Sequence, residues 1–90
     1  VFKLKDEVEF SKLTDYNFKL IPAEIYAKSI DCYTNGIGDK IETFITLEQD
    51  RTLQKYKVKS YLGCVYDQVS LHIWKRDIKD LYKANILERG

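Results

Sequence analysis

Hydrophobic and polar positions alternate most regularly in the middle of the chain. Ile41, Thr43, Ile45 and Leu47 interleave with Glu42, Phe44, Thr46 and Glu48, a two-residue period that predicts a strand. A second alternation runs from Lys55 to Tyr61, with Tyr56 and Val58 set against Lys55, Lys57 and Lys59. Gln49-Asp50-Arg51 between them suits a turn. Upstream, Asn35-Gly36-Ile37-Gly38-Asp39 is a strong turn signal. It joins the first of these strands to residues 23–33. Read as a strand, that segment puts Tyr26, Lys28, Ile30 and Cys32 on one face; read as a helix, it opens at Pro22 with a stripe of Tyr26, Ile30 and Tyr33. The hairpin that the turn would make favours the strand. Val69, Leu71 and Ile73 alternate with Ser70 and His72 and permit a fourth.

Both ends of the chain read as helices. Phe10 to Tyr16 predicts a short one, with Ser11 or Asp6 as its cap. Asn17 supplies a left-handed stop, after which Phe18 folds back onto Leu13. Trp74, Ile78, Leu81 and Tyr82 fall at helical spacing near the other end. Asp77 and Asp80 lie early in that segment and Lys83 late, matching the helix dipole. Asn85 repeats the stop, with Ile86 folding back onto Leu81. The expected fold is therefore α+β in one domain over residues 1–90. It has a three- to four-stranded antiparallel sheet, a C-terminal helix packed on one face and a short N-terminal helix.

Composition narrows the function more than the fold. Seven Tyr, four Phe and one Trp in 90 residues argue against disorder. Fifteen basic and fourteen acidic residues leave a net charge of +1, which gives no global pull toward nucleic acid or anionic lipid. No apolar run approaches the roughly 18 residues that span a bilayer, and the opening residues lack a signal-peptide core. The expected setting is cytoplasmic, with no membrane partner. Cys32 and Cys64 stand far apart and are expected to be buried thiols rather than a disulfide.

Candidate chemistry is sparse. One His and two isolated Cys offer no metal-ligand spacing, and the glycine-containing turn lacks the Lys-Ser/Thr pair of a phosphate loop. Neither metal nor cofactor is expected. Cys64 and His72, with Asp67 or Asp77, would form a thiol catalytic set only if folding brought them together; the plainer alternative is a core thiol and a solvated imidazole. Lys55, Lys57, Lys59 and Tyr61 share one strand face, with Arg51 just before them. Such a row can contact phosphates and stack a base. Its plainer alternative is a solvated face whose lysines discourage edge pairing. The aromatic residues exceed what a thin core can hide, so Tyr16, Tyr33, Tyr61, Tyr66 or Tyr82 are expected at the surface, where tyrosines favour protein contacts.

The stretch Leu4-Lys5-Asp6-Glu7-Val8-Glu9-Phe10-Ser11-Lys12-Leu13-Thr14-Asp15-Tyr16-Asn17-Phe18 and the closing Asp77-Ile78-Lys79-Asp80-Leu81-Tyr82-Lys83-Ala84-Asn85-Ile86-Leu87-Glu88 resemble short proteins of phages and prophages of low-GC Gram-positive bacteria. In those a small helix ends in tyrosine-glycine-phenylalanine; Asn17 replaces that glycine here. The resemblance covers about a third of the chain and carries no catalytic motif. It implies a bacterial cytoplasmic setting and no site residues. The leading expectation is a non-enzymatic protein-interaction module, an accessory or regulatory protein that docks through aromatic edges or adds a strand to a partner. The alternatives are a nucleic-acid-binding protein using Arg51, Lys55, Lys57, Lys59 and Tyr61, and, last, a small cysteine-dependent enzyme. A homodimer through an open sheet edge is the further partner expectation.

Overall fold

The structure, a computed structural model, describes residues 2–22 and 24–89. Residue 23, the first of the segment read as a strand, lies outside the described residues. Among the described residues seven strands form two sheets. Strands β2 (Lys19–Ile21), β3 (Ile25–Thr34), β4 (Lys40–Leu47), β5 (Leu53–Tyr61) and β6 (Cys64–Leu71) make an antiparallel meander in sequence order. Strands β1 (Phe2–Leu4) and β7 (Leu87–Arg89) pair with each other, Lys3 opposite Glu88. A 3-10 helix covers Phe10–Tyr16, another covers Lys75–Ile78, and an α-helix, α1, covers Lys79–Lys83.

This corrects the expected fold class. Among the described residues 52% are strand and 18% helix, so the chain is mostly β, with five strands in the main sheet rather than three or four. The terminal segments are mainly not α-helical. Phe10–Tyr16 winds as 3-10 turns, and neither Ser11 nor Asp6 caps it; Glu9 takes the cap position with no side-chain bond. At the other end the backbone is still extended at Trp74 (φ −94°, ψ 153°), so helix begins only after it. Trp74 and Tyr82 consequently leave the apolar stripe for the surface, while Ile78 and Leu81 stay buried.

The two asparagine stops form as the sequence predicts. Asn17 (φ 69°) and Asn85 (φ 58°) both adopt the left-handed conformation. The Phe18 N–H donates to the Leu13 carbonyl at 3.3 Å, and the Asn85 N–H to that of Tyr82 at 3.1 Å. Phe18 and Ile86 thereby turn inward and join Leu13 and Leu81 in the core.

That core lies against one half of one sheet face. Ile45, Leu47 and Leu53 project from β4 and β5 onto Phe2, Leu4, Leu13, Ile78 and Leu87, which come from the two ends of the chain. The register makes odd-numbered residues of β4 and β5 share this face, since Ile45 stands opposite Lys55 and Leu47 opposite Leu53. Lys55, Lys57 and Lys59 therefore follow Leu53 onto the covered face, and Tyr56 and Val58 lie on the open one. Lys55 answers its partial burial by pairing with Asp77 at 2.9 Å, both side chains only about a tenth exposed (12% and 11%).

The turns are tied by side chains. Arg51, left-handed at φ 72°, closes the β4–β5 hairpin, with its N–H donating to the Glu48 carbonyl. Its guanidinium Nη1 donates to the carbonyls of Lys5 (2.8 Å) and Val8 (2.7 Å) and stacks 4.9 Å above the Phe10 ring. Its own carbonyl accepts the Leu4 N–H at 2.8 Å. One residue thus joins the hairpin, β1 and the segment leading to the first 3-10 helix.

Candidate functional site

In an antiparallel meander, alternate turns emerge at the same end. The 35–39 turn and the Leu62-Gly63 turn share one end of the main sheet. The β4–β5 turn, with its Arg51 bonds to the N-terminal segment, lies at the other. The molecule is long, 44 × 26 × 21 Å, so the two ends are well separated. At the end away from the core, Ile37 is 76% exposed and Leu62 85%. Tyr33, Tyr61, Val65 and Tyr66 are exposed just behind them.

This end is organised by hydrogen bonds. The Asn35 carboxamide oxygen accepts the N–H groups of Ile37 (3.1 Å) and Asp39 (3.0 Å), and the Asn35 N–H donates to the Asp39 carbonyl. Gly38, at φ 92°, packs close enough to Tyr61 that an added Cβ would lie 3.5 Å from the ring. In β6 a bulge between the Lys59 and Ser60 pairings leaves Tyr66 without an opposite residue. Its hydroxyl reaches across β5 and donates to the Asp39 carboxylate at 2.6 Å. Donating that bond to Asp39, together with some desolvation and the Asp39 and Asp67 charges, holds the Tyr66 phenol above its ordinary pKa. The two hairpins are thereby locked side by side.

The Leu62-Gly63 turn has both central residues at positive φ, 49° and 81°. That is the two-residue hairpin geometry that favours Asn-Gly, and leucine is a poor fit for its first position. Leu62→Asn should therefore raise stability by about 0.5–1 kcal/mol, read as a higher urea midpoint with unchanged slope. An equal or lower midpoint would contradict this reading of the turn. The fold gains nothing from leucine here.

The other sequence candidates are dispersed. Arg51 is committed to the turn contacts and Lys55 to Asp77. Lys57 and Lys59 make no ion pair among the described residues. Lys57 borders a groove of about 330 Å³ beside Asp31 and Tyr33, and Lys59 stands between Ile41 and Asp67. The five residues read as one phosphate-contacting row therefore split into two structural members and three that remain accessible, Lys57, Lys59 and Tyr61. Cys64 opens β6 and His72 follows its last residue, which separates them by about 25 Å of extended chain. They cannot exchange a proton. Cys32 and Cys64 are both exposed free thiols, so the expectation of buried thiols is corrected. No group of three or more His, Cys, Asp or Glu is placed to hold a metal among the described residues. No helix among them is long and apolar enough to cross a membrane.

No family model, curated protein or solved structure matches the chain. A depression of about 480 Å³ is an open groove by the first 3-10 helix, bordered by Glu7, Glu9, Ser11 and Asp15. It holds no nucleophile set beside a base. The distal end is the more specific feature. The sequence pointed to exposed Tyr33, Tyr61 and Tyr66 through aromatic content alone. It gave no sign of Ile37 and Leu62, because isolated apolar residues inside turns break no period.

Proposed function

We propose that the chain is a non-enzymatic protein-docking module that binds through the distal end of its main sheet. Such a module suits an accessory or regulatory protein of a mobile element. The observation that carries the reading is the gathering of Tyr33, Ile37, Tyr61, Leu62, Val65 and Tyr66 at one solvent-exposed end of a molecule whose core is at the other. Tyrosines bury area at low entropic cost, and aliphatic tips fill pockets. The Tyr66–Asp39 and Asn35 bonds fix the surface before binding, which lowers the cost of ordering it.

Affinity capture on the immobilised chain, from lysate with and without nuclease treatment, tests this. The wild type should retain a discrete protein, and Tyr61→Ala with Leu62→Asp should weaken retention roughly 30-fold, the effect of losing about 2 kcal/mol at a hot spot. Equal retention by the variant would overturn the docking site. Capture that disappears on nuclease treatment and on Lys57→Glu would instead favour nucleic acid held by Lys57, Lys59 and Tyr61.

A further inference from the structure

We propose that the chain forms a homodimer by antiparallel pairing of β6 with the β6 of a second copy, about a two-fold axis at Ser70. This surface is separate from the docking end.

Strand β6 is the last of the main sheet, and all eight of its residues are exposed. Half of its backbone N–H and C=O groups face outward with no strand beside them. Free edges of this length are ordinarily protected by lysine, proline, a bulge or a covering element. β6 contains no lysine, arginine or proline, and Asp67 is its only charge. Its bulge disturbs the first half alone. Beyond it the chain runs regularly from Asp67 to Leu71 and is still extended at Trp74. The opposite edge is guarded: β2 is three residues long, begins with Lys19 and ends before Pro22, and the part of β3 that it leaves uncovered, residues 28–34, carries Lys28, Asp31 and a bulge at Ile30.

One unguarded edge per molecule decides the occupant. Two copies can pair through the regular halves of β6, and the product then leaves at its outer sides only bulged or charged edge segments, the first half of β6 and the β2–β3 edge. The assembly closes at two and cannot grow into a fibre. The side chains agree with this when Ser70 lies on the axis. Val69 then faces the second copy's Leu71, and Leu71 faces its Val69. These four apolar side chains, 46% and 36% exposed in the single chain, cover one another on the face that carries the core. On the other face Gln68 meets the second copy's His72, and Ser70 meets Ser70. Moving the axis to Val69 would instead set Asp67 against Leu71. Because β6 reverses across the axis, the two docking ends point in opposite directions, and the dimer is bivalent.

The experiment is sedimentation equilibrium of the full chain up to several hundred micromolar. The expected result is a species of twice 10.6 kDa. Ser70→Lys puts two ammonium groups face to face at the axis and should weaken the dimer roughly tenfold or more. Ser70 is exposed and on the open face, so the variant's melting curve should match the wild type's. In a Cys32→Ser, Cys64→Ser background, Ser70→Cys should cross-link into a dimer under mild oxidant, and Ser29→Cys should not. A wild-type monomer throughout the range would overturn the proposal. A dimer indifferent to Ser70→Lys would overturn it too, by placing the interface elsewhere. The docking site fails separately: capture should survive Ser70→Lys, and its loss through Tyr61→Ala and Leu62→Asp should leave the dimer intact.

Discussion

Arg51→Ala should lower the unfolding free energy by about 3 kcal/mol. Two backbone carbonyls, of Lys5 and Val8, accept from one guanidinium nitrogen, and hydrogen bonds to a charged group contribute about 1.5–3 kcal/mol each. Sharing one nitrogen holds the pair to the low end of that sum, and the stacking on Phe10 adds several tenths. Alanine also inherits the left-handed backbone at φ 72°. Arg51→Gly separates these effects. Glycine accepts that backbone freely and relieves a strain that arginine and alanine both carry, so it should offset about 1 kcal/mol of the guanidinium loss. For a chain of this size 1 kcal/mol moves Tm by roughly 4–8 °C, so the two variants are distinguishable by calorimetry. If both melt like the wild type, the turn does not hold the N-terminal segment.

Asp77→Ala should cost about 2–3 kcal/mol at neutral pH and far less in acid. The carboxylate accepts from the Lys55 ammonium and from the Trp74 N–H, both at 2.9 Å, and so joins β5 to the start of the C-terminal helical segment. Removing it strands a nearly buried ammonium; the residual exposure of both side chains reduces the cost below that of a fully buried pair. Burial alone would raise the Asp77 pKa. The Lys55 ammonium, the Trp74 N–H and the Arg76 charge outweigh burial and leave it below the ordinary 3.8. A depressed carboxyl stabilises the fold wherever it is ionised in both states, above the unfolded value, and that contribution is lost as pH falls through the folded value. The stability gap between wild type and Asp77→Ala should thus be flat from neutral pH to about 4–5 and close below the ordinary value. Urea titrations at both extremes measure it. A gap unchanged in strong acid would assign the effect to packing rather than to the ion pair.

Local signals in the sequence were the legible ones. The 35–39 turn, the strands on either side of it and the two asparagine stops each depend on a few adjacent residues, and each formed. The terminal strands β1 and β7 were not legible. They are three residues long and pair across almost the whole chain, so no local period marks them. The α-helix expected from Trp74 to Tyr82 was shortened because the backbone is still extended at Trp74, past the end of β6. The lysine row shows how one parity decides a surface. Its three lysines do share a face, but Leu53 fixes that face toward the core. Their long stems can cross apolar ground while the ammonium seeks water or a carboxylate. A polar alternation therefore looked solvated although it lay on the covered side. The docking end was legible only as an excess of tyrosine, since its position depends on two turns emerging together.

If the apolar side chains at the distal end serve a partner, the free protein should not miss them. The deciding measurement is the unfolding free energy of Ile37→Asp combined with Leu62→Asp, read from urea denaturation of the isolated chain. A value within about 0.5 kcal/mol of the wild type, or above it, is expected for substitutions at exposed turn positions. A loss of about 2 kcal/mol or more would mean that these side chains hold the fold together, and the distal end would no longer stand as a surface kept for binding.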